Sequence, residues 1–272
     1  MSGNIRKLRA ELNNPVDYFL PIGDEEVHLN PYLGKTLTLQ FNGEINCQNC
    51  GRKTNKSFSQ GYCFPCMKKL ARCDMCIMKP ETCHFFEGTC REPEWGEQNC
   101  FVPHYVYLSN TSGLKVGITR HTQIPTRWID QGATQATIMF RVATRQQSGL
   151  VEMAFKDLIA DKTNWRTMLK GDAEPKDLLS EAQTLKQQLS QPIAEIAIKF
   201  EDGNIQPVEE QLREVVNINY PVLQYPEKIS SHNFDKNPLV EGTLMGIKGQ
   251  YLIFDTGVIN VRKFTSYHLS VI

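Results

Sequence analysis

The stretch Cys47-Gln-Asn-Cys50, followed after twelve residues by Cys63-Phe-Pro-Cys66, decides how the middle of this chain folds. Each CxxC knuckle turns two thiolates toward one point, and two knuckles complete a tetrahedral site with four sulfur ligands. This spacing is typical of a zinc ribbon, and four buried free thiols are the structural alternative. The sequence therefore predicts one structural zinc ion bound by these four cysteines.

A second group of cysteines follows the first. Its members, with two histidines that offer nitrogen ligands, are Cys73, Cys76, Cys83, His84, Cys90, Cys100 and His104. Cys73-Asp-Met-Cys76 is a third knuckle and is predicted to supply two ligands of a second tetrahedral site, for which Cys83, Cys90 and Cys100 compete. Zinc is favoured for this second site because the first site has the ligand pattern of a zinc site. An iron–sulfur cluster is the alternative, since ligation by cysteine alone suits it too.

Composition limits the class of protein. The chain has 272 residues, of which 40% are hydrophobic, and its 30 Lys and Arg balance its 30 Asp and Glu, so any nucleic-acid surface must be a local patch. We expect no membrane partner, because no apolar run approaches the roughly 20 residues that a spanning helix needs. The N-terminus has no signal-peptide pattern, so we expect a cytoplasmic protein. Reduction there disfavours disulfides among the nine cysteines, which points to metal.

Patterning along the chain predicts an α+β fold in five segments. These are an N-terminal β segment (1–46), the cysteine-rich zinc-binding segment (47–103), a small α/β domain (104–170), a helical linker region (171–220) and a C-terminal β segment (221–272). The second segment has no core of its own and needs metal to order it. Amphipathic spacing predicts helices over Ser148–Ala160, 176–190 and Pro207–Val216. The two terminal segments are expected to pack together as a small barrel.

A hairpin opens the central domain. Tyr105-Val-Tyr-Leu108 is strand-like, a turn follows at Asn110-Thr-Ser-Gly113, and Leu114-Lys-Val-Gly-Ile-Thr119 is the second strand. This hairpin resembles the GIY-YIG nucleases. Tyr107 matches the Tyr of the family's first motif, whereas Tyr105 stands where the family has Gly.

The rest of the resemblance covers residues as far as about 170. Lys115-Val-Gly117 occupies the second motif, with Lys in place of the family's Tyr. Arg127 matches the Arg of the following helix, Glu152 matches the metal-binding Glu, and Asn164 matches a late Asn. The whole chain also resembles a bacterial family of unknown function that combines a cysteine-rich segment with this hairpin.

The resemblance implies binding of DNA or RNA and Mg²⁺-dependent cleavage of a phosphodiester. Tyr107 would act as the base, Arg127 and Lys115 would hold phosphate, and Glu152 would hold Mg²⁺. Each also has an ordinary explanation, such as a helical ion pair between Glu152 and Lys156. The basic residues expected to contact nucleic acid are Arg52, Lys53, Arg120, Arg141 and Arg145.

Two further hypotheses remain open at this stage. One is a module that binds nucleic acid without catalysis, in which the hairpin with Lys115 is a degenerate active site. The other is a scaffold that binds a protein partner through its terminal β elements.

Overall fold

The computed structural model describes residues 1–159, 162–200, 205–208 and 214–272. Within them the chain is mixed α+β and contains three sheets. The strands are β1 (Ser2–Asn4), β2 (Arg9–Glu11), β3 (Asp17–Ile22), β4 (Glu25–His28), β5 (Thr36–Ile45), β6 (His104–Asn110), β7 (Leu114–Arg120), β8 (Gln135–Val142), β9 (Ile205–Pro207), β10 (Val216–Asn217), β11 (Leu239–Lys248), β12 (Tyr251–Phe254), β13 (Gly257–Asn260) and β14 (Tyr267–Val271). The α-helices are α1 (Phe64–Lys69), α2 (Pro93–Cys100), α3 (Thr126–Asp130), α4 (Arg145–Ala154), α5 (Trp165–Met168), α6 (Leu178–Gln188) and α7 (Ser190–Ile198).

The two ends of the chain form one six-stranded sheet with the order β1-β14-β5-β11-β12-β13. Strand β1 pairs antiparallel with β14, so that Ser2 lies opposite Ser270, and β5 lies between β14 and β11. The alternation that predicts β5 places Leu37 and Leu39 in the core, where both are buried. The terminal segments thus pair strand to strand.

The expected small barrel is wrong, because this sheet is open in the part of the chain that the structure describes. The outer edge of β13 is already used: Val258 N donates to Ser230 O, and His232 N donates to Val258 O. The outer edge of β1 is used as well, since Gly23 N donates to Asn4 O. Both edges therefore already pair with other backbone groups of the chain, and not with each other.

The predicted hairpin is confirmed. Strands β6 and β7 pair antiparallel with Tyr107 opposite Gly117, and β8 joins the other edge of β6. Alternate residues of β6 enter two different cores. Val106 and Leu108 pack with α4 and α6, whereas Tyr107 enters the core of the terminal sheet. The hairpin sheet is therefore covered on both faces.

Helix α4 begins three residues before its predicted start. Thr144 Oγ1 accepts a hydrogen bond from Gln147 N, and Thr144 N donates one to Gln147 Oε1, which completes a capping box. The helix ends at Ala154, and the predicted end at Ala160 lies outside the described residues. The helix expected over 176–190 is confirmed as α6.

The helix expected over Pro207–Val216 falls mainly on 209–213, which lie outside the described residues. Its two ends are not helical: Pro207 belongs to β9 and Val216 to β10. Both strands pair with β8, so the region predicted to be a helical linker also contributes strands to the hairpin sheet.

A search of the described helices found none with the length and apolar character needed to cross a membrane.

Candidate metal centre and basic cleft

The first two knuckles form a four-cysteine cluster. Cys47 follows β5, Cys63 caps the N-terminus of α1, and Cys66 lies within α1. The four sulfur atoms, including that of Cys50, all lie within 4.8 Å of one another, and the Cys50 and Cys63 sulfurs are 3.7 Å apart. Zn–S bonds of about 2.3 Å in a tetrahedron set sulfur ligands about 3.8 Å apart. The predicted tetrad is therefore present, and its geometry suits a metal such as zinc.

The backbone around this cluster stabilises thiolates. Burial raises the pKa of Cys47, but amide hydrogen bonds from Cys63, Cys50 and Asn49 outweigh it and lower that pKa to about 6. The Asn49 amide lowers the pKa of Cys66, to whose sulfur it donates at 3.4 Å, yet burial and the neighbouring thiols raise that pKa to about 12. The thiolate form is thus favoured at Cys47 and disfavoured at Cys66, and a bound cation would favour it at all four sulfurs.

The two cysteines of the third knuckle line two neighbouring cavities. Cys76 lines a small cavity together with Cys83, Cys90 and Cys100, whereas Cys73 lines a different, larger cleft. Asp74, Cys76 and His84 also offer three ligand atoms within 4.8 Å of one another. The structure thus places Cys73 apart from the four cysteines with which it was expected to share a site.

Tyr107 is fully buried beneath the hairpin. Its hydroxyl donates to Gln131 Oε1 at 2.8 Å, and a Cβ atom on Gly117 would lie only 2.6 Å from the Tyr107 hydroxyl oxygen. Burial raises the pKa of Tyr107, and the charge of Arg127 partly offsets the rise. Glu152 also acts electrostatically on this hydroxyl. Tyr107, Arg127 and Glu152 are therefore neighbours, but the phenol lies in the protein interior.

The other predicted residues lie in varied surroundings. Lys115 is buried, with 3% of its surface exposed. Arg120 donates to Asn99 Oδ1, and Arg145 donates to Ile77 O at 2.5 Å, so both hold the cysteine-rich segment against the hairpin domain. Arg141 is exposed on β8.

The remaining two predicted contacts, Arg52 and Lys53, are exposed in the loop between the first two knuckles. Lys53 forms a 2.8 Å ion pair with Glu44.

A cleft of about 630 Å³ lies where the cysteine-rich segment, the hairpin domain and the terminal sheet meet. Five basic residues line it: Arg6, Lys7, Arg72, Arg127 and Arg262. Asp74 is the acid in its lining, and Arg91 Nε neutralises it at 2.7 Å. Lys7 Nζ forms a 2.6 Å ion pair with Asp130 Oδ2, so the positive charge of the cleft comes from its four arginines, although the chain as a whole is neutral.

Two of these arginines are partly withdrawn from water. Arg127 Nε is buried and has no hydrogen-bond partner among the described residues. Burial lowers the pKa of Arg262, whose Nε donates to Gln60 Oε1 at 2.6 Å. A cation in such surroundings gains from an anionic partner. Of the five basic residues, Arg127 is the one that the sequence predicted as a site residue. The others come from separate parts of the chain.

Residues 34–269 match the family described as "Protein of unknown function (DUF2797)", and the chain belongs to this family. No curated protein matches the chain. No solved structure matches it either.

Proposed function

We propose that this protein binds nucleic acid through phosphate contacts in the basic cleft. The observation that supports it best is the convergence of five basic side chains on one cleft, with the buried Arg127 Nε lacking a partner among the described residues. Phosphate oxygens accept two parallel hydrogen bonds from a guanidinium, which matches arginines that line a groove. Tyr62 in the same lining offers an aromatic face on which a base can stack.

The four-cysteine cluster supports this cleft in the proposal by binding a structural Zn²⁺ ion. Gln48, Ser59, Gln60 and Tyr62 all line the cleft, and all come from the loop that joins the two knuckles or from the first knuckle itself. A closed site with four thiolates is structural, since catalytic zinc keeps one position open. Zinc binding therefore shapes one wall of the cleft.

A second candidate function is Mg²⁺-dependent cleavage of the bound strand, as in the GIY-YIG nucleases that the hairpin resembles. It is favoured by the proximity of Glu152 and Arg127 to Tyr107, and by the fact that Arg127 also lines the cleft. Glu152 would hold Mg²⁺, and Arg127 would hold the phosphate. The buried phenol of Tyr107 and the Lys115 substitution make binding the leading proposal and cleavage the second.

Fluorescence anisotropy with single- and double-stranded DNA and RNA, measured over a range of salt, tests the binding proposal. Arg6 and Arg72 are exposed cleft residues, so Arg6→Gln/Arg72→Gln should fold normally. We expect affinity to fall at least about tenfold. The slope of log affinity against log salt should decrease by about 2, because each phosphate contact contributes about 0.9. Lys228→Gln/Lys236→Gln, which changes two exposed lysines outside the cleft, is the matched control and should leave both quantities unchanged.

Equal affinity in the double variant and the wild type would refute the cleft as the binding surface. The same preparations, incubated with Mg²⁺ and labelled substrates, test cleavage. We expect Glu152→Gln to abolish any cleavage while affinity is kept, because the carboxylate holds the metal and not the strand. A wild-type protein that binds but does not cleave would exclude the second candidate alone.

A further inference from the structure

The small cavity in the cysteine-rich segment has the character of a second metal centre. Four thiols line it, those of Cys76, Cys83, Cys90 and Cys100. They come from the 3-10 turn Met75–Ile77, the loops that follow it and the last residue of α2. All four cysteines are partly buried, and thiols that converge on one cavity are a donor set that suits a metal group.

The shell around these thiols is aromatic. Phe85 and Phe101 line the cavity with ring centroids 4.5 Å apart, and Phe86 packs against both at 5.5 Å. Gly96 of α2 faces the same space, and a Cβ atom there would lie 3.2 Å from the Phe85 ring and 3.5 Å from the Cys90 sulfur. Phe85 and Phe101 would thus keep water from one side of a bound metal group, whereas Phe86 is 81% exposed.

A largely buried arginine side chain beside this cavity indicates that the cavity holds negative charge. Arg145 is largely buried, and the side chain interacts electrostatically with Cys100 and Cys76. Its hydrogen bond goes to the neutral carbonyl of Ile77, and among the described residues no carboxylate pairs with it and its Nε has no partner. A buried guanidinium without a counter-charge is costly. A metal group held by four thiolates carries net negative charge and would supply it.

The sulfurs of the second site are not drawn together as those of the first site are, which favours a cluster over a single ion. The four sulfurs of the first site all lie within 4.8 Å of one another, whereas those of Cys83, Cys90 and Cys100 do not form such a group among the residues described. One tetrahedral ion draws its ligands close together. A [4Fe–4S] cluster binds each cysteine through a different iron atom and so holds the sulfurs farther apart.

The nearby triad of Asp74, Cys76 and His84 is less suited to hold a single ion. Asp74 already accepts from Arg91 Nε at 2.7 Å and from Met75 N at 2.5 Å. His84 Nδ1 lies 2.7 Å from Thr89 Oγ1. Both carboxylate oxygens of Asp74 are thus engaged within the protein, whereas His84 Nε2 lies 3.5 Å from Asp74 Oδ2.

We propose that Cys76, Cys83, Cys90 and Cys100 hold an iron–sulfur cluster in this aromatic cavity, and that Cys73 is not a ligand. The chain would then carry two different metal centres, a zinc ion in the first tetrad and a cluster in the second. This proposal does not depend on nucleic-acid binding, because none of the four proposed ligands lines the basic cleft, although the cavity and the cleft share Asp74 and Ile77.

The test is anaerobic purification of the full chain from cells supplied with iron, followed by measurement of iron, acid-labile sulfide, zinc and the visible absorption spectrum. We expect about four iron and four sulfide per chain, as a [4Fe–4S] cluster requires. Broad visible absorption and an electron paramagnetic resonance signal after dithionite reduction should accompany them. Zinc should remain at about one ion per chain, as the first tetrad requires.

Cys83→Ala and Cys90→Ala should each lose the iron and the visible absorption, whereas the matched control Cys73→Ala should keep both. The wild-type spectrum remains informative even where a ligand variant fails to fold. Two zinc ions per chain without iron, or loss of the cluster in Cys73→Ala, would overturn the proposal.

Discussion

Gly149 of α4 lies directly against Pro80 of the cysteine-rich segment. A Cβ atom at Gly149 would lie 2.7 Å from the Pro80 Cβ and 2.9 Å from Glu81 N, so only a residue without a side chain allows this approach. Arg145, one turn earlier on the same helix, donates to Ile77 O of the same segment. The cysteine-rich segment thus packs against helix α4.

The close approach at Gly149 predicts that Gly149→Ala destabilises the protein, which is the reverse of the usual effect of this change in a helix. Within a helix this change ordinarily stabilises by about 1 kcal/mol. Here we expect a net loss of about 1–3 kcal/mol, because the added methyl overlaps backbone that cannot easily move. Urea unfolding monitored by circular dichroism measures it. Met153→Ala, at a half-exposed position of the same helix, is the control and should change stability by less than about 0.5 kcal/mol. A gain of stability in Gly149→Ala would contradict the packing described.

Because the Cys50 and Cys63 sulfurs lie 3.7 Å apart, we expect that loss of one ligand abolishes metal binding by the whole first tetrad. Cys50→Ser should lose about one zinc ion per chain, because a hydroxyl is a poor replacement for a thiolate. The loop between the knuckles should then be cut rapidly by protease, since metal binding and local folding are one equilibrium. Zinc analysis and limited proteolysis report the two effects. Cys73→Ser should behave as wild type, and an unchanged zinc content in Cys50→Ser would exclude the tetrad as the zinc site.

Replacing Lys248 and replacing its partner Asp172 should lower the free energy of unfolding by unequal amounts. The Lys248 side chain is fully buried, and its Nζ donates to Asp172 Oδ1 at 2.7 Å. Burial lowers the pKa of Lys248, and Asp172 opposes that effect. Asp172→Ala leaves a buried ammonium without an acid and should cost about 3 kcal/mol.

Lys248→Met should cost less than about 1 kcal/mol, because an apolar chain of similar length replaces the charge between Tyr220 and Tyr225. Chemical unfolding of both variants in parallel measures the difference. Equal losses in the two variants would mean that the buried charge does not dominate the energetics of this contact.

His104 predicts a pH dependence of stability. Burial lowers its pKa from 6.5 to about 4, although the Val102 carbonyl, which accepts from Nδ1, opposes the shift. Between these values the unfolded chain binds a proton that the folded chain does not, so stability falls as pH falls from about 6.5 to about 4. The loss attributable to this residue approaches about 3 kcal/mol at the acid end.

His104→Asn keeps a donor toward Val102 but does not titrate. Its free energy of unfolding should therefore vary less between pH 7 and pH 5, on the order of 1–2 kcal/mol less than that of the wild type. Urea unfolding at both pH values, with bound zinc measured at each, gives the comparison. Identical pH dependence in the two proteins would show that His104 is not kept neutral by burial.

Several features followed from the sequence alone because their causes are local. A CxxC knuckle turns its own two thiols together, so the tetrad of Cys47, Cys50, Cys63 and Cys66 was predictable from spacing. The hairpin of β6 and β7 and the helix α6 follow from periodicity within a few residues of sequence. The same locality explains the error at the chain ends: strand patterns predicted β pairing, but not that Ser230 and His232 occupy the edge of β13.

Only the tertiary structure decided the environment of each candidate residue. The sequence pattern places Tyr107 on a strand but does not give its burial. Tyr107 is buried because the terminal sheet covers its face of the hairpin. Cys73 and Cys76 are neighbours along the chain but line different cavities. The basic cleft joins Arg6, Arg127 and Arg262, whose separation in sequence hides their proximity. Sequence determines local geometry directly, whereas burial and electrostatic environment depend on contacts between distant segments, which exist only after folding.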